Sequence, residues 1–480
     1  MKIVHAASEM FPFVKTGGLA DYAGSLTKAL SRFGHEVAVF IPGYRAVLDH
    51  PELARAESRL VIRVEMGDEF LSGEVIVLQL AKRLTLYVIR RDEYFDRRQP
   101  YGFGGRDYDD NDRRFIFFAK SVVEVLRIVD FKADILHCHD WQTGLTPLML
   151  RYEEGRLRET LALKTIFTIH NISFQGVFPN RSFPYTGLPA DVLAVDGIEF
   201  YGQMSMMKGG ILFADQVTTV SPNYSREICT PEFGFGLDGV IRNRAADLTG
   251  LINGVDMDVW NPKTDVLLPA RYSLKDLSGK KACRRHLLKA HRFDPDFKGP
   301  VFGMVCRLSE QKGIDLLLES MDFFVENDCL LIILGRGEKK YERALSNVAE
   351  KHPDKVSVSL VLDEEMSHLV EAGSDFFLMP SVFEPCGLNQ MYSQIYGTVP
   401  IVTRVGGLVD TVIDLADDPE KGTGLMCRAS GDDLRRVLND ALSLFANEPS
   451  MAEVQKRGMK VDFSWKVAAR HYEELYRGLI

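Results

Sequence analysis

Four clusters in the chain combine charged or hydrogen-bonding side chains with glycines that let a backbone close in on a ligand. The first is Lys15-Thr16-Gly17-Gly18-Leu19. Paired glycines free backbone N–H groups to approach an anion and Lys15 adds a positive charge, which suits a phosphate; a tight turn with a surface lysine is spelled the same way. The cluster lacks the G-x-G-x-x-G spacing of a dinucleotide site, which turns the reading away from nicotinamide chemistry. The second, Arg307-Leu308-Ser309-Glu310-Gln311-Lys312-Gly313, sets a guanidinium and an ammonium five positions apart. That pair can clamp a diphosphate from one side, or it is a solvated charged loop. In the third, Phe383-Glu384-Pro385-Cys386-Gly387-Leu388, a carboxylate precedes Pro at a helix start, and the N–H of Gly387 can face an anion at the positive end of the helix dipole. Gly406-Gly407-Leu408 repeats that loop chemistry more weakly.

The fourth cluster is His137-Cys138-His139-Asp140-Trp141, with His170-Asn171 later in the chain. Alternate residues of a strand share a face without closing a tetrahedral cage, and no ligand set with zinc-like spacing completes one, so no metal is expected. Asp140, His170 and Asn171 instead suit sugar hydroxyls, and Trp141 offers a face for a pyranose. Polar caps on strand ends around a core Trp are the competing reading.

Parallel strands feeding helices would place such groups. Ile3 to Ala7, the Gly-Gly loop, Tyr22, Ala23, Leu26, Ala29, Leu30 and Phe33 at helical spacing, then Val37 to Ile41, read as β-α-β. Further strands at Ile135-Leu136, Lys164 to Ile169 and Val217 to Val220 continue a helix-covered α/β lobe. The pattern restarts at Val301 to Val305, followed by a helix through Ile314, Leu317, Leu318 and Met321, then Leu330 to Leu334, Phe376 to Met379 and Pro400 to Val402. This predicts a second doubly wound unit, with ligands beyond the carboxyl ends of its strands. The polar, Pro-punctuated stretch with Pro262, Pro269, Lys275, Lys280 and Lys281, beginning near Asn253-Gly254, reads as a linker, and the final helix from Trp465 to Leu479 fits either lobe.

The bulk numbers agree. A chain of 480 residues, 46% hydrophobic and 26% charged, holds two buried cores rather than one. A formal net charge of -9 speaks against a nucleic-acid surface, which needs excess Lys and Arg. Seven scattered cysteines without a C-x-x-C pair point to a reducing cytoplasm. The apolar opening is too brief for a signal peptide or a membrane span, so neither export nor membrane anchoring is expected.

In order along the chain, Lys15-Thr16-Gly17-Gly18-Leu19-Ala20-Asp21, His139-Asp140-Trp141, His170-Asn171, Pro231-Glu232-Phe233-Gly234 with Gly236-Leu237-Asp238-Gly239, Asn253-Gly254-Val255-Asp256, Glu384-Pro385-Cys386-Gly387-Leu388 and Asp462-Phe463-Ser464-Trp465 resemble bacterial glycogen synthases and plant starch synthases. The resemblance runs end to end. It implies an α/β GT-B fold, two Rossmann-like doubly wound domains facing across a cleft: residues 1–250 on the acceptor side with part of the donor site, residues 251–464 binding the nucleotide sugar, and residues 465–480 a helix crossing back to the first domain. It implies a retaining glucosyltransferase with no metal or other cofactor, ADP-glucose as donor and an α-1,4-glucan as acceptor. Lys15, Arg307 and Lys312 would hold the diphosphate, helped by the backbone amides of Gly18, Gly387 and Leu388. Asp140, His170, Asn253 and Glu384 would surround the transferred glucose with Cys386 beside it, and Trp141, Asn171 and Asp21 would face the acceptor.

Breaking the anomeric C–O bond builds positive charge on the sugar and negative charge on the leaving ADP, so cations and amides aimed at the diphosphate lower the barrier. Glu384 and the His170 carbonyl would face the oxocarbenium-like ring, and front-face attack is favoured because no nucleophile is supplied on the opposite face. Three positions depart from the family pattern: Leu362 stands where many members carry a Tyr that stacks on the nucleobase, Val382 where Arg is frequent, and Asn389 where Thr or Ser is usual. UDP-glucose therefore stays open as donor. A sucrose-type synthase or phosphorylase and a non-catalytic glucan-binding relative are the other readings; no pyridoxal-phosphate lysine segment is present, and a dead binding module has no need of the intact Lys15, Arg307, Lys312 and Glu384.

Overall fold

A computed structural model describes the whole chain except Glu57, Asp130, residues 154–161 and Leu362. The chain divides into two compact units, Met1–Gly254 with Trp465–Ile480, and Val255–Ser464.

Unit 1 is built on a nine-stranded sheet. Its strands are β1 (Lys2–Ala6), β2 (Glu36–Pro42), β3 (Ser58–Met66), β4 (Glu69–Ala81), β5 (Leu84–Arg90), β6 (Ile135–His139), β7 (Lys164–Ile169), β8 (Gln216–Thr219) and β9 (Leu248–Gly250), in the order β9-β8-β7-β6-β1-β2-β5-β4-β3. All pairs are parallel except β3 with β4 and β4 with β5. Helix α1 (Gly18–Arg32) follows β1 and buries Leu19, Tyr22, Ala23, Leu26 and Leu30, a single apolar stripe at three- and four-residue spacing. The chain leaves β1 toward β2 on one side while β6 pairs on the other. The switch point of the sheet, where open α/β sheets bind ligands, therefore lies at the carboxyl ends of β1 and β6.

Unit 2 is an all-parallel six-stranded sheet. With β10 (Val301–Val305), β11 (Leu330–Leu334), β12 (Val356–Ser359), β13 (Phe376–Met379), β14 (Val399–Thr403) and β15 (Leu425–Cys427), the order is β12-β11-β10-β13-β14-β15. This is the doubly wound order, and its switch point lies between β10 and β13. One core face gathers Phe302, Met304, Leu331, Ile333, Phe376, Leu378 and Ile401 with Leu317, Leu345, Leu434 and Leu438 from the covering helices.

The segment read from sequence as a polar linker is instead folded into unit 2. Trp260 is stacked between His368 (ring centroids 3.7 Å apart) and Tyr392 (3.9 Å). The Asp265 carboxylate pairs with His368 Nδ1 at 2.7 Å and accepts from the Tyr396 hydroxyl at 2.6 Å. Helix α2 (Ser278–Ala290) buries Lys280, whose ammonium donates to the carbonyls of Ala372 (2.9 Å) and Ser374 (3.0 Å) and to Thr398 Oγ1 (2.6 Å). Three acceptors in fixed places satisfy the ammonium; composition alone made this lysine look like a solvated one.

Helix α3 (Trp465–Leu479) packs within unit 1, burying Trp465, Ala468, Ala469, Tyr472 and Tyr476 on one stripe. The Tyr22 ring meets Trp465 and Tyr472 edge-on at 5.4 and 5.7 Å, and the Tyr476 hydroxyl lies 2.7 Å from His137 Nδ1. Among the described residues no helix is long and apolar enough to cross a membrane.

Ending the chain at Ser464 strips three buried aromatics from unit 1, each of the class whose loss costs about 3–5 kcal/mol. The sum is comparable to the whole stability of a typical domain, about 5–15 kcal/mol, so the truncated protein should be insoluble or lack a cooperative melt for unit 1. Tyr476→Phe, which only unpairs His137 Nδ1, should cost about 1–2 kcal/mol in a denaturant titration. A truncated chain melting like the intact one would show that α3 is not part of the unit 1 core.

Candidate active site

The loop after β1 is organised by a carboxylate that stands outside the Gly-Gly motif. Glu9 is buried, and its carboxylate accepts from the backbone N–H of Thr16, from Thr16 Oγ1 at 2.5 Å, from Gly17 N–H at 3.3 Å and from the Tyr101 hydroxyl at 2.6 Å. Ser8 Oγ lies 2.7 Å from the same Tyr101 oxygen. This holds Lys15 and Thr16 exposed at the rim with Gly18 opening α1. Lys15 Nζ donates to Asp21 Oδ1 at 2.8 Å, so the carboxylate expected to face an acceptor sits on the lysine expected to hold the diphosphate. Glu9 and Tyr101 escaped the sequence reading. The available signal was a carboxylate placed between a strand end and a turn rich in N–H donors.

At the end of β6, Asp140 adopts φ 55°, unusual for a residue with a side chain. That turn aims its Oδ1 at the backbone N–H groups of His170 (2.8 Å) and Asn171 (3.4 Å) at the end of β7. Asp140, His170 and Asn171 are thus brought together. Burial pushes the Asp140 carboxyl up to about 7 against the two amide donors that favour its charge. Asn171 Oδ1 accepts from the backbone N–H (3.0 Å) and the hydroxyl (2.7 Å) of Ser173, an Asx turn that fixes its amide. Trp141 meets Phe115 edge-on at 4.8 Å and Phe178 at 5.6 Å, with Gly176 against its ring. Asn253 is buried, and its Oδ1 has no partner among the described residues.

Beneath these groups the sheet carries three more imidazoles, His5, His137 and His139. His137 and His139 share a face of β6, and His5 joins them from the register position beside His137 on β1. Ligand nitrogens of the three lie within 4.8 Å of one another. The sequence reading found two of these rings on one strand; the third comes from the neighbouring strand. His5 Nδ1 lies 3.0 Å from His139 Nε2, and His139 Nδ1 lies 3.2 Å from His170 Nε2. His137 is engaged at both nitrogens, by Tyr476 and by Thr168 Oγ1 at 2.5 Å. Hydrogen bonding thus occupies every ring nitrogen of His5, His137 and His139 except His5 Nε2.

In unit 2 the loops after β10 and β13 flank the switch point. The backbone N–H of Val382 donates to the Gln311 carbonyl at 2.8 Å, and Gln311 Nε2 donates to the Phe383 carbonyl at 3.3 Å. Gly313, at φ 67°, permits this contact, since a Cβ there would meet the Pro380 carbonyl oxygen at 1.8 Å. The outcome is a direct ion pair between the Lys312 ammonium and the Glu384 carboxylate, with Ser381 Oγ donating to the same carboxylate oxygen at 3.0 Å. Arg307 is exposed at the end of β10, Cys386 is buried, and Gly387 and Leu388 lead into the short helix Asn389–Ile395.

Gly406-Gly407, read as further loop chemistry, serves as a support. Gly407 N–H donates to the Glu384 carbonyl at 3.1 Å, and a Cβ on Gly406 would meet that carbonyl oxygen at 1.8 Å. Of the three departures, Val382 is exposed in the loop, and Asn389 uses its amide to reach the Val305 carbonyl (3.3 Å) and buried Glu371 (3.2 Å). Leu362 lies outside the described residues.

A family model described as the starch synthase catalytic domain matches residues 2–243, and one described as glycosyl transferases group 1 matches residues 289–459. The chain is 61% identical over 477 residues to a glycogen synthase of Opitutus terrae, covering 99% of each, and 44% identical over 485 residues to a glycogen synthase of Myxococcus xanthus, covering 100% of each. Among solved structures it resembles the catalytic domain of starch synthase IV from Arabidopsis thaliana bound to ADP and acarbose, with TM-score 0.90, 31% identity and 99% of each chain covered. Sucrose-phosphate synthase from Thermosynechococcus elongatus shares the fold, with TM-score 0.60 at 17% identity over 99% of this chain and 98% of the other.

Burial holds His5 and His170 down to about 3, and burial first and neighbouring rings second hold His137 and His139 well below the ordinary imidazole value. The unfolded chain takes up these protons near pH 6.5, so the stability linked to neutral rings is complete above that pH and is lost as pH falls below it. Each ring removes about 1.4 kcal/mol per pH unit in that window. Asp140, and Glu371, pushed up to about 8 by burial, act with the opposite sign and offset roughly two of the four rings. Denaturant titrations should therefore lose about 1–2 kcal/mol between pH 6.5 and 5.5, since the unfolded rings are already half protonated at the upper value; equal stability at both values would mean that the rings accept protons where they stand.

Proposed function

This chain belongs to the glycogen and starch synthase family of glycosyltransferases, with the GT-B fold, and on that premise we propose that it transfers glucose from ADP-glucose to the non-reducing end of an α-1,4-glucan with retention at the anomeric carbon. The observation that carries this reading is the Lys312–Glu384 ion pair at the unit 2 switch point. A nucleotide sugar splits into an anion and a cation-like ring as it reacts, and this pair offers one partner to each: the ammonium to the diphosphate, the carboxylate to the oxocarbenium-like glucose.

The remaining roles are those the family resemblance implies, and charge and hydrogen-bonding capacity agree with them. Arg307 and Lys15 are further cations for the diphosphate, and the amides of Gly18, Gly387 and Leu388 donate to its oxygens. Asp140, the unpartnered Oδ1 of Asn253 and the side chain of His170 take hydroxyls of the transferred glucose, while the His170 carbonyl faces the developing positive charge. Cys386 lines the glucose. Trp141, Asn171 and Asp21 lie on the acceptor side, Asp21 once Lys15 has turned to phosphate. The departing diphosphate is neutralised by side chains and amides, so the reading calls for no cofactor. Retention follows from attack on the face the diphosphate leaves, with the leaving group itself taking the acceptor proton.

ADP is favoured because the Arabidopsis starch synthase IV domain was solved with ADP and acarbose; Leu362 keeps UDP-glucose as the competitor. The cytoplasm is the proposed compartment, where the seven free thiols stay reduced.

Purified protein given glycogen and labelled ADP-glucose or UDP-glucose should label the polymer, with ADP-glucose winning in direct competition. Incorporation from neither donor would end the proposal, and preference for UDP-glucose would reassign the donor. Lys312→Ala should lower kcat/KM by about 100- to 1,000-fold. Glu384→Ala should lower kcat by a similar order with donor KM changed by no more than about threefold; a pure KM effect would make Glu384 a binding group. Because each substitution strands half of an ion pair, melting curves accompany both.

A further inference from the structure

Two buried imidazoles, His5 and His139, have no part in the glucosyl transfer just described. His170 Nε2 lies 3.2 Å from His139 Nδ1, and His139 Nε2 lies 3.0 Å from His5 Nδ1. Three rings thus form one hydrogen-bonded file, from half-buried His170 down to fully buried His5. The inner end is blind, because His5 Nε2 is buried without a partner among the described residues. At the outer end His170 Nδ1 makes no hydrogen bond among the described residues and remains for a ligand.

A neutral imidazole carries one N–H and one lone pair, so each proton in the file is fixed by its neighbour and only two arrangements exist. If His170 donates from Nε2, protons point inward and the file ends in an N–H on His5 Nε2 with nothing to accept it. If His5 donates from Nδ1, protons point outward, His139 donates from Nδ1 to His170 Nε2, and the blind end keeps only a lone pair. A buried N–H without an acceptor is the rarer and costlier remainder.

We propose that His5 and His139 are positioning residues that hold His170 as its Nδ1–H tautomer, so that it presents a hydrogen-bond donor to a hydroxyl oxygen of the transferred hexose. This rests on the reading of His170 as a sugar contact. A hydroxyl that accepts from His170 keeps its own proton for another acceptor, so the file fixes the direction of hydrogen bonding around the sugar. The environment keeps the file neutral, since burial opposes a proton on any of the three rings. It also keeps the outer ring in place: the His170 backbone N–H is tied to Asp140 at 2.8 Å, and Tyr22 meets its ring edge-on at 4.6 Å. His137 stands outside the file, with Tyr476 and Thr168 on its two nitrogens.

The test is the nitrogen NMR spectrum of the full-length protein with labelled histidine, the His170 signals assigned by their loss in His170→Gln, alongside kinetics of three variants. Wild type should show His170 protonated at Nδ1. His139→Leu cuts the file and should lower kcat about tenfold or more, whereas His139→Asn, whose amide N–H₂ stands near the lost Nδ1, should stay within about threefold. His5→Leu leaves His139 free to turn, and should mix the two His170 tautomers with an intermediate loss of kcat. Wild-type His170 protonated at Nε2 overturns the proposal, as do Leu and Asn variants of His139 that lose activity equally and in step with their melting temperatures. If His139→Leu fails to fold, the wild-type spectrum and His5→Leu decide. His170→Ala separates the two levels: full activity there would remove the sugar contact, while the tautomer in the spectrum would still report on the file.

Discussion

The Glu9 carboxylate is the constraint from which the geometry of the unit 1 site follows. A buried carboxylate is tolerable only when donors replace the water it has lost. Here they come from Thr16 and Gly17 in the adjacent loop and from Tyr101, distant in sequence. The same bonds that satisfy the charge close the loop, and a closed loop is what lifts Lys15 and Gly18 to the rim of α1. A pre-shaped cradle loses little entropy when an anion arrives, and its affinity is correspondingly better used. The Gly-Gly pair permits the turn, and Glu9 makes it the one the chain adopts.

Unit 2 reaches a comparable result by different means. Its two switch-point loops are zipped by backbone bonds, Val382 to Gln311 and Gly407 to Glu384, and this leaves the Lys312 and Glu384 side chains in contact. The two charges stabilise each other where neither would be tolerated alone, as their low exposure, 23% and 7%, requires.

The elements that alternate strictly between strand and helix were legible from the chain alone. Val301 to Val305 and Leu330 to Leu334 are buried on both faces and read as unbroken apolar runs, and the doubly wound architecture follows from them. Antiparallel β3 and β4 were not legible, because one face is solvated and Arg63, Glu65 and Glu69 interrupt the run. Lys280, Asp265 and Trp260 misled in the opposite sense. Composition marks them as a linker, and only partners about a hundred residues away, Tyr396, His368 and Thr398, reveal a core. The site divided along the same line. Motif residues that sit on loops after predicted strands could be named, whereas Glu9, Tyr101 and His5 act through pairings with distant segments that no local pattern encodes.

That division bears on the histidines. Three imidazoles are fully buried under the candidate site, and in the proposed reaction a fixed positive charge on any of them would oppose the charge developing on the sugar ring. Depth removes the hazard, because a ring without access to water loses more by becoming charged than a nearby anion returns. The cost is that the rings need neutral partners: His5 and His139 bond each other, His139 also reaches His170, and Thr168 and Tyr476 take the two nitrogens of His137. The C-terminal helix is then more than a lid on apolar surface, because its Tyr476 oxygen completes the hydrogen bonding of a polar layer that an unpaired His137 would leave open. Stability of unit 1 and electrical neutrality beneath its candidate site are consequences of the same packing, and a change to either will be felt in the other.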